Sequence, residues 1–200
     1  MIPVADPTLP QPTARLVNLP NALTVLRLAA VPVFAVLLLR EDGADDAGRW
    51  WAALAFALAI LTDRYDGMIA RRTGQITEFG KLADPIADKA LTGMALIGLS
   101  IIGELPWWVT IVILVREWGI TIMRFAMLRY GVMAAGRGGK IKTVLQAVAI
   151  ILYLLPLATV APWAHVVAMI VMGAAFLITV LSGLDYVREA VRIRRQHQTS

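Results

Sequence analysis

Six stretches of the chain are apolar and long enough to cross a bilayer: about 21–40, 48–70, 82–103, 106–130, 140–159 and 163–187. A spanning helix needs about 20 mostly apolar residues. Polar clusters separate the stretches. Gly43 and its acidic neighbours read as one loop, and Gly136, Arg137, Gly138 and Gly139 as another. Pro32 in the first stretch and Pro156 in the fifth are expected to kink their helices. Residues 1–17, with Pro3, Pro7, Pro10 and Pro12, read as a flexible tail. No basic segment precedes a cleavable apolar run there, so no signal peptide is expected. The pattern predicts an all-α integral membrane protein of six transmembrane helices. One domain covers 18–187, with a basic C-terminal tail at 188–200.

Composition agrees: 58% of residues are hydrophobic and 16% charged, against about a quarter charged in soluble domains. Cysteine is absent, which excludes disulfides, thiolate catalysis and cysteine metal sites. The net charge of +5 would suit nucleic acid, but its distribution points to a membrane surface and to no nucleic-acid partner. With the N-terminus cytoplasmic, the inside segments hold Arg15, Arg71, Arg72, Lys81, Arg137, Lys140, Arg188, Arg192, Arg194 and Arg195. The outside segments near 41–47, 104 and 160–162 are acidic or uncharged. This is the positive-inside asymmetry. Trp50, Trp51, Trp107, Trp108 and Trp163 fall at the outer helix ends, as interfacial aromatics do. Both termini are then cytoplasmic. The final VREAVRIRRQ run reads as a basic amphipathic helix or tail on anionic lipid.

One stretch, Asp63 to Asp88, departs from the apolar pattern with fixed spacing. It reads Asp63-x-x-Asp66-Gly67-x-x-Ala70-Arg71, eight residues, then Gly80-x-x-x-Asp84-x-x-x-Asp88. Acids three or four apart share a helix face. Asp63 and Asp66 should close one helix, and Asp84 and Asp88 should open the next, joined by a polar link over Arg72–Gly80. Four carboxylates then cluster at the cytoplasmic face. An ionised acid within a span costs roughly 2.5–3.5 kcal/mol, less near the interface, and like charges repel. Divalent metal with oxygen ligands offsets both terms. A metal pair beside cations describes a phosphoryl-transfer site, with one carboxylate able to deprotonate an attacking hydroxyl.

Other polar positions stay open to two readings. Gly67 and Ala70 permit either close helix packing or a flat ligand against backbone, and Arg71 either anchors the membrane face or holds a phosphate. Arg116, Glu117 and Arg124 interrupt the fourth stretch, and Lys140 and Lys142 open the fifth. They form either structural pairs and lipid contacts or an anion pocket, with Arg27 a weaker member. Glu117 is also read as neutralising a cation on a neighbouring helix. Asn21 is a candidate N-cap of the first helix, with Thr24 in its first turn. His165 reads as interfacial, His197 as solvated and Asp185 as a neutraliser of basic neighbours.

The 63–88 stretch matches in full the signature of the CDP-alcohol phosphotransferases, which the chain resembles over roughly 18–155. Within that family it is most similar to the branch making phosphatidylglycerophosphate. The similar pieces are NLPNALTVLRLAAVPVF, TEFGKLADPIADKAL, VREWGITIMRF and GGKIKTVLQ. The resemblance implies transfer of a phosphatidyl group from CDP-diacylglycerol to glycerol 3-phosphate, releasing CMP, with two Mg²⁺ or Mn²⁺ ions. Asp63, Asp66, Asp84 and Asp88 would be metal ligands, and Asp88 also the general base. Gly67, Ala70, Arg71 and Gly80 would hold CDP, with Thr77, Asn21 and Thr24 as looser members. Arg116, Arg124, Lys140 and Lys142 are the candidates for the acceptor phosphate. The resemblance also implies a homodimer in the inner membrane of a bacterium. Rival readings are a relative using phosphatidylglycerol (a cardiolipin synthase) or an inositol phosphate as acceptor, and a divalent-cation transporter. The last would need polar positions continuing across the bilayer. Trp51–Leu61 is purely apolar, and past Ala90 the third stretch offers only Thr92 and Ser100.

Overall fold

Each predicted span contains one helix. A computed structural model describes the backbone over residues 19–73, 78–127, 137–157 and 161–198, and side chains over 21–62, 86–123, 125–126, 141–157, 161 and 163–194. The elements are α1 (Leu19–Leu39), a short 3₁₀ turn (Arg40–Gly43), α2 (Asp46–Thr73), α3 (Glu78–Ile101), α4 (Trp107–Met127), α5 (Arg137–Leu154) and α6 (Pro162–Gln198). Among the described residues there is no strand.

Three boundaries differ from expectation. α5 starts at Arg137, so Gly138 and Gly139 belong to its first turn rather than to a loop. Amides of a first turn have no intrahelical partner, so the helix demands least of its residues there. Pro156 lies two residues past the end of α5 and so follows the helix instead of kinking it. The polar link is shorter than Arg72–Gly80, because α2 continues through Thr73 and α3 begins at Glu78. α6 is also continuous through Gln198, past position 187. At 1.5 Å per residue its 37 residues reach about 55 Å, well beyond a hydrocarbon core of about 30 Å.

α1 packs on α2 and α3, α6 on α4 and α5, and the two groups meet through α2 with α5 and α3 with α4. The shared core holds Phe34, Leu38, Phe56, Leu96, Leu99, Ile113, Ile150 and Leu154, all fully buried. The Phe34 and Phe56 rings stand 6.0 Å apart. The outside is also apolar: Val33, Val36, Leu58, Ile122, Ile170 and Leu181 are all more than half exposed. Water would penalise such a surface at roughly 25 cal/mol per Å², whereas lipid tails match it. Among the described residues, α1 and α6 carry apolar stretches long enough to cross a membrane, Asn21–Gly43 and Trp163–Arg194. The five tryptophans opening α2, α4 and α6 are between 49% and 71% exposed, as an interfacial belt requires.

The α1–α2 reversal uses left-handed backbone at Glu41 (φ 49°), Asp42 (φ 54°) and Gly43 (φ 82°). A Cβ at Gly43 would also sit 2.9 Å from Ile102 Cβ on the chain after α3. Gly43→Ala therefore meets both torsional strain and a backbone-proximal clash. It should cost about 2 kcal/mol and lower the thermal midpoint in detergent by roughly 4–8 °C for a chain of this size. An unchanged midpoint would mean the turn relaxes freely.

Three interhelical contacts fix the helix register. Phe34 meets Phe56, so α1 and α2 are antiparallel; Leu38 approaches Gly98 and Gly43 approaches Ile102, so α1 and α3 run parallel. Counting ten residues from the first pair and fourteen from the second places Thr24 about level with positions 66 and 84. The helical segments carrying the four acids thus lie at one end of the bundle, opposite the tryptophans.

Candidate active site

Asn21, Thr24 and Arg27 fall three apart on one face of α1, and all three are buried. In an otherwise apolar helix that is a polar stripe aimed into the bundle, at the level of the acid-bearing segments. On α2, positions 63 and 66 lie in helical backbone; on α3, positions 84 and 88 do. Thr73 and Glu78 are five Cα steps apart, hence within about 18 Å. The side chains of Asp63, Asp66, Gly67, Ala70, Arg71, Gly80, Asp84, Arg124 and Lys140 lie outside the described set, as does Thr77 altogether.

Asp88 is described with its side chain. It lines a cavity of about 80 Å³ bounded by α2, α3, α4 and α5. Phe56, Ile60, Leu96 and Ile150 form the apolar inner wall; Asp88, Lys89, Thr92, Glu117, Lys142, Thr143 and Gln146 supply polar groups. Lys142 and Gln146, four apart on α5, are both buried. Gln146 escaped the sequence reading; its signal was a lone amide in an apolar run, one turn from Lys142.

Lys142 Nζ donates to Glu117 Oε1, and so does Arg116 Nη1 at 2.9 Å. Glu117 thus neutralises a cation on a neighbouring helix, one of the two readings open in the sequence. Arg116 is committed elsewhere. Its Nε donates to the Thr179 carbonyl at 3.1 Å and its Nη2 to Ser182 Oγ at 2.8 Å, both on α6. The guanidinium also stands 5.8 Å from the Tyr186 ring. Gly183 lets this happen, since a Cβ there would lie 3.1 Å from Arg116 Cγ. Arg116 therefore does not line the cavity; of the expected acceptor cations whose side chains are described, Lys142 does.

At the tryptophan end a second arginine, unremarked in the sequence, is almost wholly buried. Arg49 Nη1 donates to Glu104 Oε1 at 2.6 Å; its Nε donates to the Leu154 carbonyl at 3.1 Å and its Nη2 to that of Tyr153 at 2.8 Å. The last carbonyls of a helix have no intrahelical donor. One planar fork thus caps α5 and joins it to α2 and the α3–α4 connection.

For a metal, the donor set fits. Four aspartates offer only hard carboxylate oxygens, and Mg²⁺ and Mn²⁺ favour such ligands. Asp88, the member whose side chain is described, lines the cavity.

A bundle that is helical throughout its described elements, with apolar outer faces and the acid-bearing helical segments at one end, fits a membrane protein. The chain belongs to the CDP-alcohol phosphatidyltransferase family, whose model matches residues 17–181, and it is a phosphatidyltransferase. That family is metal-dependent. The chain is 55% identical over 179 residues to a probable phosphatidylglycerophosphate synthase of Mycobacterium tuberculosis, covering 90% of this chain and 84% of that one. It is 37% identical to the CDP-diacylglycerol–glycerol-3-phosphate 3-phosphatidyltransferase of Bacillus subtilis, covering 84% and 93% respectively. A CMP-forming cardiolipin synthase of Streptomyces coelicolor is 40% identical over a shorter match, 60% of this chain and 55% of that one.

Proposed function

We propose that the protein transfers the phosphatidyl group of CDP-diacylglycerol to glycerol 3-phosphate, giving phosphatidylglycerophosphate and CMP. The observation that carries this is Asp88 sharing one cavity with Lys142: a carboxylate for a hydroxyl proton beside a cation for a phosphate. The names of the two long-matching relatives support the same acceptor. Asp88 accepts the proton of the acceptor hydroxyl as its oxygen bonds to the phosphorus bearing diacylglycerol. The bond from that phosphorus to the bridging oxygen breaks, and CMP leaves with the electron pair. Asp63, Asp66, Asp84 and Asp88 would hold two Mg²⁺ or Mn²⁺ ions, which supply charge stabilisation at the pyrophosphate. Gly67, Ala70, Arg71, Thr77 and Gly80 cradle the CDP moiety, with Asn21 and Thr24 completing its wall from α1. Lys142, with Lys140 and Arg124, binds the acceptor phosphate, and Arg116, on α4 and tied to α6, holds the Glu117 carboxylate that pairs with Lys142.

The six helices are six membrane spans, with both termini and the site on the cytoplasmic side of the inner membrane. Exposed Arg188 and Arg192 at the motif end, and the tryptophans at the other, support that orientation. The family resemblance supports a homodimer.

Purified protein with CDP-diacylglycerol, glycerol 3-phosphate and Mg²⁺ should release CMP. Release with phosphatidylglycerol or an inositol phosphate instead would change the acceptor; none with any alcohol would end the reading. Lys142→Met should raise KM for glycerol 3-phosphate about 10–100-fold, the value of one charged hydrogen bond, and leave KM for CDP-diacylglycerol near wild type. Equal rises in both would remove Lys142 from the acceptor site.

A further inference from the structure

We propose that Gln146 sets acceptor specificity by hydrogen-bonding the middle hydroxyl of glycerol 3-phosphate, the one that neither reacts nor carries the phosphate. The inference rests on the acceptor reading proposed above and deepens it. Gln146 is 3% exposed and lines the cavity from α5. Among the described residues its carboxamide has no hydrogen-bond partner. A side-chain amide carries two donor hydrogens and an acceptor oxygen. Buried amides are ordinarily satisfied, and an unmet one costs its full desolvation. In a membrane bundle the usual remedy is a bond to a neighbouring helix. Gln146 instead offers its amide to a cavity, where a bound ligand supplies the partner.

The cavity is graded in polarity. α3 and α5 both run from the motif end toward the tryptophan end. Residues one turn apart on each line the cavity: Asp88, Thr92 and Leu96 on α3, and Lys142, Gln146 and Ile150 on α5. Charge therefore gives way to neutral polar groups and then to hydrocarbon. Each step of four residues is a rise of about 6 Å. Glycerol 3-phosphate carries the same kinds of group: an anionic phosphate and neutral hydroxyls on a three-carbon chain. The proposed reading gives the phosphate to Lys142 and the reacting hydroxyl to the acid on α3. The middle hydroxyl falls to the neutral layer, where Gln146 shares a helix face with the lysine that holds the phosphate. An amide both donates and accepts, so it matches a hydroxyl and leaves the phosphate to the cation.

Two acceptors differing in that one hydroxyl test this. Full-length protein in nanodiscs with CDP-diacylglycerol and Mg²⁺ is given glycerol 3-phosphate or 3-hydroxypropyl phosphate, and CMP release is followed. Wild type should favour glycerol 3-phosphate in kcat/KM by about 10–100-fold, the penalty for leaving a buried amide unmet. Gln146→Met keeps the length of the side chain and removes the amide. It should lose that factor on glycerol 3-phosphate, hold its wild-type rate on 3-hydroxypropyl phosphate, and so bring the two acceptors close to parity. Its KM for CDP-diacylglycerol should not move. Its thermal midpoint should equal or exceed that of wild type, since a partnerless amide is replaced by an apolar group. Equal losses on both acceptors, a preference retained by Gln146→Met, or a variant that melts early or fails to fold each overturns the proposal by making the amide structural. Equal use of the two acceptors by wild type overturns it without any variant, while CMP release with glycerol 3-phosphate leaves the activity standing. Wild-type protein that releases CMP with no alcohol overturns the underlying reading as well.

Discussion

Asp88→Asn should lower CMP release by about 10³-fold and weaken CDP-diacylglycerol binding far less. General-base catalysis contributes roughly 10²–10⁴ in rate, and asparagine cannot accept the proton. It keeps the size of the side chain and one carbonyl oxygen, so the cavity wall and part of the metal coordination survive. The neighbouring Asp84, one helical turn earlier, preserves much of the negative charge at this end. Turnover and binding of the cytidine lipid are measured separately, by single-turnover CMP release and by equilibrium binding of labelled lipid. Equal loss of both would make Asp88 chiefly a metal ligand. The contrast with Lys142→Met is diagnostic, since that change acts on acceptor KM and this one on rate.

Most of this fold was legible because lipid imposes a simple rule. Each span must be a helix, as no water satisfies a bare backbone in the bilayer core. Six apolar stretches therefore gave six helices in their places. The acid spacing stood out for a similar reason: charges in an apolar stretch are costly, and three- and four-residue intervals share a helix face. What stayed hidden was pairing between helices. Arg116 read as an acceptor cation beside Arg124 and Lys142, yet its fork reaches Thr179 and Ser182 on α6, 63 and 66 residues away. Nothing in a local pattern tells which of several intramembrane cations faces the cavity. Glu117 was ambiguous until Lys142, 25 residues on, was found against it. Arg49 was overlooked because it follows a polar loop, where an arginine ordinarily meets water. Its burial depends on the end of α5 arriving from more than a hundred residues later.

Arg49→Ala should be the most damaging change remote from the cavity, lowering stability by about 3–5 kcal/mol, the range for removing one partner of a buried pair. Arg49 is 8% exposed. Its loss leaves Glu104 without the only cation within salt-bridge distance among the described residues. It also strips the Tyr153 and Leu154 carbonyls, at the end of α5, of their guanidinium donors. α2, α5 and the α3–α4 connection are then no longer tied at the tryptophan end. The thermal midpoint in detergent should drop by at least 6 °C at 2–4 °C per kcal/mol. Because the clamp lies opposite the acids, the protein that remains folded should retain near-normal KM for both substrates. Arg49→Lys should rescue little: an ammonium is a point donor and cannot reach a carboxylate and two successive carbonyls in one plane. Glu104→Gln should cost less than Arg49→Ala, because it keeps an acceptor for the guanidinium. A lysine variant as stable as wild type would show that charge alone, and not the planar fork, holds the end of α5.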